Sequence, residues 1–107
     1  MSNELFTEYG ELVRRYKAGD EFAFTEIYEK SSKFVYMTCL SVLGNPEDAE
    51  EAMQETYLAV FKDIGSLDDE NMLIGWIKRI AAYKSYDIVR KRKGNRGKVS
   101  RAVRFRL

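Results

Sequence analysis

A chain of 107 residues with 45% hydrophobic residues and a single proline is one domain with enough apolar material for a packed core, which excludes intrinsic disorder. It contains no histidine, one cysteine and no apolar run near the roughly 20 residues of a membrane span, which excludes disulfide frameworks, Cys/His metal sites and membrane insertion. The net charge of +1 hides a polarity: residues 90–107 hold nine of the 18 bases and no acid, leaving a net of −8 on the first 89 residues.

Four helical segments follow in order, and no strand periodicity competes with them. The first spans Asn3 to Lys17, with Leu5, Tyr9, Leu12, Val13 and Tyr16 on its apolar side, and Ala18-Gly19 stops it. Asp20 is placed to cap the second, which runs to Leu43 with Phe24, Ile27, Tyr28, Phe34, Val35, Thr38 and Val42 near one face, and Gly44 ends it. The third opens at "NPED": Asn45 as N-cap, Pro46 in the first helical position, Glu47 and Asp48 on the positive dipole end. Its stripe is Ala49, Ala52, Met53, Val60 and Ile64, and Gly65 closes it. "SLDDENM" reads as a loop, and "GWIKRIAAYKSYDIVRKRK" as the fourth helix, with Leu73, Ile77, Ile80, Ala81 and Ile88 facing a core. The expected fold is all-α, a compact three- to four-helix bundle over residues 1–93. Residues 94–107, with two glycines and scattered bases, read as a basic flexible tail or the start of a linker, or as a solubilising extension. Most of the core is expected from Phe24, Ile27, Tyr28, Phe34, Val35, Met53, Val60, Phe61, Ile64, Ile77 and Ile80. Cys39, within "VYMTCLSVL", reads as a buried small hydrophobe.

Two surfaces stand out. The third helix carries a polar flank of Asp48, Glu51, Gln54, Glu55 and Leu58. It reads either as a solvated face or as a docking surface, since carboxylates, an amide and an exposed leucine suit a partner helix bearing arginines. The fourth helix carries a second stripe, Trp76, Arg79, Tyr83, Tyr86 and Arg90, at spacings of +3, +4, +3 and +4, leading into Lys91, Arg92 and Lys93. Trp76 and Tyr83 would suit the rim of a core. The whole line suits a nucleic-acid surface, with cations on phosphates and rings stacked on unpaired bases. Lys84 falls in the apolar stripe, where its stem packs while its ammonium reaches solvent, with Asp87 as the expected ion partner. No P-loop, nucleophile motif or metal spacing is present, and Asp68-Asp69 are ordinary solvated acids. The expectation is a protein without catalytic residues, metal or cofactor. The acidic, mixed opening "MSNELFTEYG" is unlike a secretory signal and points to the cytoplasm.

The order "GDEFAFTEIYEK", "NPEDAEEAMQETYLAVFKDI", "GWIKRIAAYKSYDIVRKRK" resembles region 2 of bacterial sigma factors, in the extracytoplasmic-function group, over residues 9–93. Glu51, Gln54 and Glu55 match the motif of the helix that, in that family, binds the coiled coil of the largest subunit of core RNA polymerase. Trp76 to Ala81 and Asp87 to Arg90 match two further motifs. The resemblance implies that the last helix contacts the non-template strand of the minus-ten promoter element, and that the loop from Ser66 to Gly75 captures a base flipped from the stack. It also implies an anti-sigma factor as a further partner. Tyr83 and Lys84 stand where many relatives have asparagine and an aliphatic residue, so no base preference carries over. Relatives continue into a helix-turn-helix domain, whereas this chain ends at Leu107, as an excised domain or a naturally short protein would. Two other readings stay open: a helical adaptor or decoy that binds only protein (the polymerase or an anti-sigma factor), and a single-stranded RNA-binding module.

Overall fold

Short polar and glycine-bearing breaks divide the chain into helices whose ends are visibly satisfied. The computed structural model describes the backbone of residues 2–96 and the side chains of residues 8–92. Helix α1 (Ser2–Lys17) is followed by Gly19 at φ 107°, a conformation that only glycine adopts without strain. Helix α2 (Phe22–Leu43) starts where the Asp20 carboxylate accepts from the Phe22 N–H at 3.0 Å, and it ends at Gly44 with φ 68°. The Gly44 N–H closes the last turn on the Leu40 carbonyl. Helix α3 (Pro46–Asp63) begins as its sequence dictates, the Asn45 side chain accepting from the Asp48 N–H at 3.1 Å. Two 3-10 turns follow, Ile64–Ser66 and Glu70–Met72, so the loop before the last helix has its own local structure. Helix α4 (Leu73–Arg96) continues three residues past Lys93. Residues 97–107, which hold most of the basic tail, lie outside the described residues.

Helices α2, α3 and α4 pack on one another, and α1 lies across α2 and the Glu70–Met72 turn. No strand occurs among the described residues. The buried side of α2 is one i, i+4 row, Ala23, Ile27, Ser31, Val35 and Cys39, and three of its five members are small. Small residues recur opposite, at Ala49, Ala52, Ala81 and Ser85, letting the helix axes approach and pushing larger groups outward. That displacement corrects the expected core. Ile27, Val35, Val60, Ile64 and Ile77 are buried, and Phe24, Phe34, Met53 and Ile80 pack against them from partly exposed positions. Tyr28 and Phe61, expected inside, are 40% and 52% exposed. Each follows a fully buried residue, Ile27 and Val60, and so sits about 100° off the buried row. The volume they were expected to fill comes instead from α1, through Tyr9, Leu12 and Val13, and from Tyr57, Leu73 and Ile74.

Three hydroxyls lie in this core with their hydrogen bonds met. Ser31, Thr56 and Ser85 donate to the carbonyls of Ile27, Ala52 and Ala81, one turn back, at 2.6, 2.7 and 2.8 Å. Cys39 is buried, as expected, and burial pushes its thiol up, against a hydrogen bond with Ser85, so it is held as an unreactive thiol.

Candidate nucleic-acid and protein interfaces

Helix α4 separates its two stripes cleanly. Leu73, Ile77, Ala81, Ser85 and Ile88 face the core. On the opposite side Arg79 is exposed, Tyr83 is 62% exposed and Tyr86 is 37% exposed. Trp76 begins the same line but packs partly against the core, so it serves the rim and the surface together. Lys84 is half-buried at the edge of the apolar stripe.

The cations differ in their engagements. The Arg90 guanidinium donates to Asp87 Oδ1 at 3.1 Å and lies 5.7 Å from the centre of the Tyr83 ring, covering one of its faces. Lys91 lies 3.7 Å from the other Asp87 oxygen. The expected Lys84–Asp87 pair is therefore replaced by pairs to Arg90 and Lys91, which stand three and four residues on along the helix. Arg92 turns away from the rings altogether. It pairs with Asp48 at the start of α3 and lies 3.7 Å from Glu51. Two residues assigned from sequence to separate surfaces, Arg92 and Asp48, thus tie the end of α4 to the start of α3. The Lys93 side chain lies outside the described residues.

On α3, Glu51, Gln54, Glu55 and Leu58 are exposed, while Asp48 is largely covered by Arg92. Gln54 and Leu58 form one lip of a groove of about 500 Å³ between α2 and α3, floored by Met53 and Tyr57 and walled by Phe24, Tyr28 and Phe61. Its aromatic members contact each other: Phe24 and Phe61 centroids are 4.9 Å apart, Tyr28 and Tyr57 4.7 Å. Leu58, at 66% exposure, is the most prominent apolar side chain on its rim. Sequence periodicity missed this groove because it assigned Tyr28 and Phe61 to the core. The available signal was the run of small residues at i, i+4 in α2, which leaves no room for rings between the helices.

The loop before α4 is held by α1. Lys17 Nζ donates to the Leu67 carbonyl at 2.8 Å and reaches Glu70 at 3.2 Å, with Arg14 3.7 Å from the same carboxylate. The hydrogen bond with Lys17 holds the Glu70 carboxyl below its usual range. Asp69 caps the second 3-10 turn, accepting from the Asn71 N–H at 3.1 Å. A second, shallower depression between α2 and α4 collects Lys30, Lys33 and Lys78, the last placed over the Phe34 ring at 5.4 Å. Among the described residues no group of three or more Cys, Asp or Glu could hold a metal ion, and no helix is long and apolar enough to cross a membrane.

The described residues thus form a helical bundle with an acidic face beside an apolar groove and a separate aromatic, cationic face. The family described as Sigma-70 region 2 matches residues 27–95. The chain is similar to the ECF RNA polymerase sigma factor SigW of Bacillus subtilis, 32% identical over 81 residues, covering 76% of this chain and 43% of that protein. It is similar to the ECF RNA polymerase sigma factor SigK of Mycobacterium tuberculosis, 30% identical over 87 residues, covering 80% of this chain and 46% of the relative. To the ECF RNA polymerase sigma factor SigM of the same species it is 25% identical over 85 residues, or 79% and 43% of the two chains. The chain belongs to the Sigma-70 region 2 family, within its extracytoplasmic-function group. It spans less than half the length of these relatives.

Proposed function

We propose that this domain docks on core RNA polymerase through α3 and holds opened promoter DNA on the outer face of α4, acting in the cytoplasm by binding and not by turnover. The observation that carries it is the pair of exposed rings, Tyr83 and Tyr86, beside Arg79 on the side of α4 turned away from the core. Burying such rings elsewhere in the fold would be favourable by about 1.5–3 kcal/mol each, so their exposure suits a ligand that covers them. Duplex DNA hides its base faces, whereas the opened non-template strand of the minus-ten element offers them. Each stacked base is worth roughly 1–3 kcal/mol. Arg79, exposed on the same face, supplies a phosphate contact, and Arg90 and Lys91 add to it by exchanging Asp87 for phosphate; such contacts carry affinity without sequence preference.

Docking is supported by the lip of the α2–α3 groove. On that lip Gln54 offers a hydrogen-bond partner and Leu58 an apolar one for a basic helix, and Glu55, exposed beside the groove, offers a charge partner. A helix of the polymerase's largest subunit lying on this lip would leave the outer face of α4 free for DNA. An anti-sigma factor would compete for the same surface.

Fluorescence anisotropy with matched single-stranded DNA, duplex DNA and single-stranded RNA tests the nucleic-acid half. The wild-type chain is expected to prefer single-stranded DNA. Tyr83→Ala with Tyr86→Ala should reduce the single-strand to duplex ratio by about tenfold, equivalent to about 1.4 kcal/mol. An unchanged ratio assigns the rings to the fold, and a preference for RNA assigns the face to a different nucleic acid.

A further inference from the structure

The loop that precedes α4 is anchored from outside itself. Its backbone hydrogen bonds are local, Leu67 N–H to the Ile64 carbonyl at 3.2 Å and Met72 N–H to the Asp69 carbonyl at 2.9 Å. Such bonds shape each turn and leave its position over the bundle open. Leu67 packs on the core, and the polar side of the loop is positioned by α1. The Lys17 ammonium crosses 50 residues of sequence to the Leu67 carbonyl and also holds Glu70, so one cation ties the end of the first 3-10 turn to the start of the second. At Gly10 the loop presses directly on the helix: a Cβ there would collide with the Asn71 side-chain oxygen and stand 3.1 Å from Asn71 Cγ.

Helix α1 is itself fixed at its far side. Arg15 bridges Asp20 and Glu26 at 2.8 and 2.9 Å, and Lys30 of α2 pairs with Glu8 at 3.3 Å. A continuous line of contacts therefore runs from α2 through α1 to the loop. The Sigma-70 region 2 match begins at residue 27, after α1 has ended, so the line depends on a helix outside the matched span.

We propose that α1 is a brace that sets the shape of the loop from 66 to 72, with Lys17 and Gly10 as positioning residues for the base that the loop accepts. The proposal rests on the reading that this loop captures a flipped base. Lys17 contacts the loop backbone and not the base, so its effect falls on discrimination between bases more than on overall affinity. Asn71, exposed and in contact with Gly10, is the loop side chain whose orientation follows most directly from the packing of α1.

Three variants of the 107-residue chain separate a brace from a merely structural contact. Lys17→Met keeps the stem and removes the ammonium, Lys17→Arg restores a donor, and Gly10→Ala displaces Asn71. Each is compared with wild type for melting temperature, for pull-down of core polymerase, for amide hydrogen exchange at residues 67–72, and for affinity to oligo(dT) decamers carrying a single A, C or G. In Lys17→Met, exchange in the loop is expected to quicken at least about tenfold, and the ratio between best and worst base to shrink at least about threefold. Pull-down and melting should change little. Lys17→Arg should recover the ratio, and Gly10→Ala should alter it without quickening exchange elsewhere. Wild-type affinity that is the same for every decamer sinks the base-capture reading and the selectivity claim with it. A wild-type preference that survives in both Lys17→Met and Gly10→Ala overturns the brace alone.

Discussion

Tyr57 shows how much one buried hydroxyl settles. Ser31 donates its own proton to the Ile27 carbonyl, so the 2.5 Å contact between Ser31 Oγ and Tyr57 OH has the tyrosine as donor. Burial pushes the Tyr57 phenol up to about 12. A group whose folded value is raised binds its proton more tightly folded than unfolded. Its contribution is therefore complete below pH 10 and is lost as pH rises from 10 to about 12. Tyr57→Phe is expected to cost about 1 kcal/mol at pH 7, read by urea denaturation, because it removes a single neutral hydrogen bond. The same variant should flatten the alkaline fall in stability, which for the wild type is on the order of 2 kcal/mol across that window. At the protein surface the arithmetic is smaller. Arg92→Ala breaks the exposed pairs to Asp48 and Glu51 and should cost about 0.2–1 kcal/mol, less at high salt.

At the scale of elements, the packing of α2 on α3 decides both the core and the groove. The small residues in the α2 row bring the helices close, and Tyr28 and Phe61 are left to wall an apolar groove open to solvent. Leu58→Glu places a charge on its rim without touching the buried row. It should weaken pull-down of core polymerase by about 1–2 kcal/mol, a five- to thirtyfold loss, while the melting temperature stays near wild type. Gln54→Ala with Glu55→Lys tests the polar side chains at and beside the same lip and should weaken binding similarly. Full binding by both variants would remove polymerase docking from this face. Glu51→Lys is a less clean probe, because it also sets a like charge beside Arg92.

For the whole molecule, charge is divided along the sequence. The first 89 residues carry a net of −8, and residues 90–107 carry nine bases with no acid. The described bases in that stretch, Arg90, Lys91 and Arg92, already pair with acids of the bundle. The other six bases of that stretch lie outside the described side chains. Truncation after Arg96 removes four bases, Lys98, Arg101, Arg104 and Arg106. It should lower single-stranded DNA affinity and reduce the salt slope by about 0.7 for each phosphate no longer neutralised, with the single-strand to duplex ratio unchanged because the rings remain. A ratio that falls with the tail would transfer the preference from α4 to residues 97–107.

Periodicity, caps and breakers are local properties, and whatever depends on them was legible along the chain: four helices, their order, the Asn45 cap, the Gly44 stop and the two stripes of α4. Motif order carried the family, because it needs only residue types and gaps. The remainder turns on distances between helices, which the small residues of the α2 row signal only in part and which packing decides. Tyr28 and Phe61 left the core because small residues elsewhere closed the space between axes. Arg92 joined Asp48, and Lys17 joined Leu67 and Glu70, across 44, 50 and 53 residues of chain. Long polar side chains choose among many partners of similar charge, and only the packed arrangement of helix ends selects which one lies within reach.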